Sequence, residues 1–127
     1  MAFEACPKKL FINNHFVDSV SQLEMPVCDP CTGKEICQVV RAGPQDIDIA
    51  VIAAREAFET GPWSKMKYPE RRDIMFRISD NIDKFKEELA HIESLDTGKP
   101  FAESLREIQF ASSIFKYYAG WVDKING

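Results

Sequence analysis

Two hydrophobic periods divide the chain. Over roughly the first forty residues apolar positions come in short runs broken by turn formers. Leu10-Phe11-Ile12 and His15-Phe16-Val17 flank Asn13-Asn14, and Met25 to Asp29 and Ile36 to Val40 flank Pro30-Cys31-Thr32-Gly33. Asparagine tolerates positive φ, so the first pair predicts a tight hairpin. Pro30 presets φ and Gly33 supplies permissive backbone, which predicts a second hairpin. From Gly43 the period lengthens to three and four residues. Pro44 suits the first helical position, where a missing N–H does no harm. Ile47, Val51, Ala54 and Phe58 then share one face until Gly61-Pro62 stops the helix. A second helix starts at Pro69 with the stripe Ile74, Ile78, Ile82 and Phe85. It continues through Leu89, Ile92 and Leu95 after a bend expected between Asp83 and Lys86, and closes at Thr97-Gly98. A third starts at Pro100 and carries Phe101, Leu105, Ile108, Phe115, Val122 and Ile125; unbroken, it would be about 39 Å long. The fold class read from this pattern is α/β, with hairpins over residues 1–42 and three helices over 43–127.

The third helix carries more apolar surface than its stripe needs. Phe110, Ile114, Tyr117, Tyr118 and Trp121 spread around the cylinder. A helix apolar nearly all round is buried among several neighbours, and two further helices with two hairpins offer little cover. A partner or a longer polypeptide is expected to cover it.

Composition narrows the function. With 16 Lys+Arg against 20 Asp+Glu the net charge is −4, and a mildly acidic chain with no basic block is poorly suited to nucleic acid or anionic lipid. No apolar run approaches a membrane span. The N-terminus lacks the order of a signal peptide and carries Glu4 too early for a transit peptide, so a soluble, cytoplasmic chain is expected. The spacing of Cys28 and Cys31 suggests zinc or redox chemistry, but zinc needs four ligands and His15 and His91 stand alone. A redox pair belongs at a helix N-terminus, whereas Cys31 runs into Thr32-Gly33; with Cys6 and Cys37 these read as reduced, unpaired thiols. The six glycines form no G-x-G cradle, and neither G-x-S-x-G nor H-E-x-x-H occurs. Glu103 and Glu107 read as a solvated helix face. Asp96-Thr97-Gly98-Lys99-Pro100 sets a carboxylate, a flexible glycine, a cation and a helix-starting proline between two helices; alone, it is a helix-loop-helix connection.

The stretch EELAHIESLDTGKP ending at Pro100, with Lys116-Tyr117-Tyr118-Ala119-Gly120-Trp121 after it, resembles the NAD(P)-dependent aldehyde dehydrogenases, most closely their class 1 and 2 members. Leu10 to Asn14 is similar to that family's opening hairpin, Asp29-Pro30-Cys31-Thr32-Gly33 to its N-P-x-T-G turn, and Ala53 to Phe58 to its first helix. Trp63 and Glu70-Arg71 match the start of its second. Asp29 departs from the pattern, which usually has Asn.

The resemblance implies hairpins and helices that form part of a cofactor-binding domain, roughly the first quarter of an enzyme oxidising aldehydes to carboxylic acids with NAD or NADP. The family's nucleophilic cysteine, general-base glutamate and dinucleotide-binding units lie further along, so no catalytic or cofactor-binding residue is expected in this chain, which alone should be inactive. The complete protein is expected to take an aldehyde as substrate and to be a homo-oligomer, dimer or tetramer. The resemblance also implies a Na+ or K+ ion held by the Asp96 carboxylate and the backbone carbonyls of Val27 and Cys28. It implies further that Glu107 and Ala111, one turn apart, line the mouth of a substrate tunnel. The alternative is a truncated, non-catalytic helical interaction or structural module.

Overall fold

Asn13 and Asn14 both adopt positive φ, 51° and 62°, the conformation that lets a two-residue turn match the twist of its flanking strands. They join β1 (Leu10–Ile12) to β2 (His15–Val17) in an antiparallel pair with Leu10 opposite Val17. The rings of the cross-strand pair Phe11 and Phe16 pack tilted, at 4.9 Å between centroids. The computed structural model describes residues 6–124 and divides into two units, one ending at Ser64 and one beginning at Lys65.

In the first unit, β3 (Glu24–Cys28) pairs antiparallel with β4 (Glu35–Val40), from Glu24 opposite Val40 to Val27 opposite Cys37. The register breaks between Val27 and Cys28, which puts Cys28 opposite Glu35. The connecting turn is closed by Gly33, at φ 68°, whose N–H donates to the Asp29 carbonyl at 2.7 Å. Asp29 organises the same turn with its side chain, accepting the Thr32 hydroxyl at 2.7 Å and the Cys31 N–H at 2.8 Å. The Thr32 hydroxyl above all, then the Cys31 amide, holds the Asp29 carboxyl below the usual aspartate range. The charge that departs from the N-P-x-T-G pattern thus has two donors of its own.

Helix α1 (Pro44–Glu59) begins on a residue that the periodicity gave no reason to single out. Asp46, only 3% exposed, accepts the Gly43 N–H at 2.8 Å and the Val20 N–H at 2.9 Å. It answers an orphan donor at the helix start and ties the helix to the loop after β2. The helix stops where expected, since a Cβ on Gly61 would stand 2.2 Å from the Ala57 carbonyl oxygen. A single turn, α2 (Pro62–Lys65), follows. The apolar face of α1 is less covered than its stripe predicts, for Ile47, Val51 and Phe58 are all exposed.

The second unit holds three helices, α3 (Tyr68–Lys84), α4 (Lys86–Thr97) and α5 (Phe101–Ala119). The expected bend in one long helix is a complete break. Phe85 leaves helical geometry, with φ −105° and ψ 15°; its N–H donates to Asn81 and its carbonyl accepts from Leu89. Lys84 in the last turn of α3 and Glu87 and Glu88 in the first turn of α4 suit a helix end followed by a helix start. Helix α5 is also shorter than expected, about 28 Å. After Ala119 the Trp121 N–H donates to Tyr118 and the Lys124 N–H to Trp121, which is tight-turn bonding. Ile125 lies outside the described residues. Among those residues no helix is long and apolar enough to cross a membrane.

α5 packs chiefly on α3 and then on α4. The packed face carries Ser104, Ser112 and Ala119, all buried, beside half-buried Leu105, Ile108 and Phe115. Small residues let the backbones approach. The Ser79 hydroxyl, fully buried on α3, lies 2.9 Å from the Ser112 carbonyl and 2.7 Å from its hydroxyl; Ser112 Oγ is 3.2 Å from the Ser79 carbonyl. Among the described residues only Ala90 and Ala119 are fully buried apolar side chains.

Ser104 is the exception in this face, with a buried hydroxyl that has no hydrogen-bond partner among the described residues. Ser104→Ala is expected to raise stability by about 1 kcal/mol, because a buried unpaired hydroxyl is costly, and Ser112→Ala to lower it by about 1 kcal/mol. Urea unfolding of the two variants checks the opposite signs. Asp29 gives a second expectation. With its pKa lowered by folding, its contribution is present above the ordinary aspartate range and lost as pH falls through the lowered value. The Cys31 amide shift should titrate with a midpoint below that of an unpaired aspartate, and Asp29→Asn should abolish the titration; a midpoint in the ordinary range would contradict it.

Candidate functional site

The connection from α4 to α5 carries Asp96 and, through Lys99, reaches Glu107. Gly98 takes the left-handed conformation, φ 74°, and its N–H caps α4 by donating to the Ser94 carbonyl at 3.0 Å. The Ser94 hydroxyl donates to the Lys99 carbonyl and the Thr97 hydroxyl to the Glu93 carbonyl, both at 2.6 Å. The Ser94 hydroxyl thus ties the loop to α4, while the Thr97 hydroxyl bonds back within the helix. The Asp96 carboxylate is exposed, in the last turn of α4, and makes no hydrogen bond or ion pair with another described residue. No basic residue shares that turn, so the carboxylate stands at the negative end of the helix dipole.

Lys99 spans the two helices. Its ammonium donates to Glu107 Oε2 at 2.6 Å and to Glu93 Oε1 at 3.1 Å. Glu107 first, and then Glu93, raises the Lys99 pKa. Lysine thereby gives one charge to two carboxylates, and Glu107 is engaged rather than simply solvated. A second tie joins α3 to α5, where Lys116 donates to Asp83 at 2.7 Å; Lys116 and the Ser112 hydroxyl together lower the Asp83 pKa.

Glu107 and Ala111 do sit one turn apart on α5, but in unlike settings. Glu107 is exposed, whereas Ala111 is half-buried, on the packed side between Ser104 and Phe115. The large exposed side chain at this level is Phe110, which begins an open apolar strip of Phe110, Ile114, Tyr117 and Trp121. Tyr117 stacks edge-on with Tyr118 and lies 6.1 Å from Trp121 between centroids. With Met75 and Val122 these rings line a shallow apolar groove. Helical spacing alone could not separate Phe110 from Ala111, since both belong to an apolar surface.

Val27 and Cys28 belong to the unit ending at Ser64 and Asp96 to the unit beginning at Lys65. The register break falls between Val27 and Cys28, and a bulge of this kind disrupts the ladder locally. Cys28 and Cys31 are exposed, Cys6 and Cys37 half-buried. Among the described residues no three His, Cys, Asp or Glu side chains gather as a metal cluster.

The "Aldehyde dehydrogenase family" profile matches residues 16–127. The chain belongs to that family. It is 48% identical over 120 residues to the mitochondrial aldehyde dehydrogenase family 2 member B4 of Arabidopsis thaliana, a match covering 94% of this chain and 22% of the relative. It is 45% identical over 120 residues to the mitochondrial benzaldehyde dehydrogenase of Antirrhinum majus, with the same coverage. Among solved structures, the NAD+ complex of an aldehyde dehydrogenase from Bacillus cereus superimposes with a TM-score of 0.93 at 40% identity, covering 99% of this chain and 26% of that one. A betaine aldehyde dehydrogenase from Staphylococcus aureus, in complex with NAD+, gives 0.95 at 31% identity, covering 100% of this chain and 26% of that one. The chain thus spans about a quarter of the length of these aldehyde dehydrogenases and corresponds to an N-terminal portion of such an enzyme.

The N–H groups that precede two of the helices already have acceptors within the chain. A phosphate needs free N–H groups at a helix start or a glycine-rich loop. The Gly43 N–H before α1 is given to Asp46, the Lys67 N–H before α3 to Glu70 at 3.3 Å, and α5 starts from Pro100.

Proposed function

We propose that this segment is the N-terminal scaffold of an enzyme that oxidises an aldehyde to a carboxylic acid with NAD or NADP. The nucleophile, the hydride acceptor's site and the general base are supplied by residues outside it. That reaction needs all three held together. The observation that supports this reading most is the match over residues 16–127, accompanied by TM-scores of 0.93 and 0.95 to aldehyde dehydrogenases. A cytoplasmic location and a homodimer or homotetramer complete the proposal. The second reading, a non-catalytic helical interaction module, has the open strip of α5 in its favour. One experiment separates them. The full reading frame should reduce NAD or NADP in the presence of aldehydes, and residues 1–127 alone should not. Turnover by the short chain overturns the first reading; a full-length product without turnover supports the second.

The same reading assigns a sodium or potassium ion to the Asp96 carboxylate with the carbonyl oxygens of Val27 and Cys28. A hard cation prefers oxygen ligands, and Asp96 offers a carboxylate with no other described partner at the negative end of α4. Potassium chloride should raise the thermal midpoint of the complete enzyme more than choline chloride at equal ionic strength. Asp96→Asn should remove the difference. Equal responses to the two salts in the wild type rule the site out.

Glu107 and Ala111 are assigned to the mouth of the substrate tunnel, with Glu107 anchored by Lys99. Replacing the charge with an apolar side chain favours apolar ligands. Glu107→Leu in the complete enzyme should lower KM for long-chain aldehydes by several-fold and leave short-chain ones nearly unchanged. A flat profile across chain lengths removes the assignment.

A further inference from the structure

We draw no further inference here: the strongest candidate, the open apolar face of α5 with its groove of Met75, Tyr117, Tyr118, Trp121 and Val122, is an unpartnered surface, and nothing in the structure shows what covers it.

Discussion

The contact of Ser79 with Ser112 sets the geometry of the second unit. Two helices can touch backbone to backbone only where side chains are small, and a hydroxyl at such a point must find an acceptor within its own crossing. Each serine here reaches the other's carbonyl, and the two oxygens lie 2.7 Å apart. The crossing is therefore close and polar-satisfied at once. From it follow the burial of Ser104 and Ala119 along the same face of α5 and the reach of Lys116 to Asp83. In place of a large apolar core, the unit holds helices pinned at a small-residue seam, with larger side chains only half covered along its edges.

Much of the fold was legible because the signals were local. Asn13-Asn14, Gly33 and Gly61-Pro62 each act through the conformation of one or two residues, and the structure uses them as turns and stops. The break at Phe85 was visible only as a bend, because the apolar stripe runs on through Ile82, Phe85 and Leu89 without losing its period. Spacing reports which face is apolar, not whether the backbone between two turns stays helical. The end of α5 was misplaced for the same reason, since Val122 keeps the stripe's spacing after the helix has given way to tight turns.

The site was legible in a different way. The loop from Asp96 to Pro100 drew attention by composition, and its family context came from residues spread along the whole chain. What sequence could not rank were the members of a hydrogen-bond network. Ser94 is an unremarked hydroxyl inside a helical stripe, yet it holds the Lys99 carbonyl. Asp46 looked like one acid among 20 Asp and Glu, yet it satisfies two backbone amides from 3% exposure. A carboxylate's role depends on which N–H groups the fold turns toward it, and no one-dimensional pattern records that. Asn or Ser at the same place would serve as an acceptor for part of the job, so residue type alone is a weak guide.

Helix α5 presents one apolar face to its neighbours and a second, on nearly the opposite side of the cylinder, in exposed side chains. Between them runs a narrow ribbon of Ala102, Arg106, Gln109 and Ser113, all exposed and free of large apolar side chains. This ribbon is where the helix should accept change most freely: reporter groups, charge reversals or altered solubility can be introduced there without touching the serine seam or the aromatic strip. Sequence drift among proteins built on the same helix should likewise concentrate on those few positions.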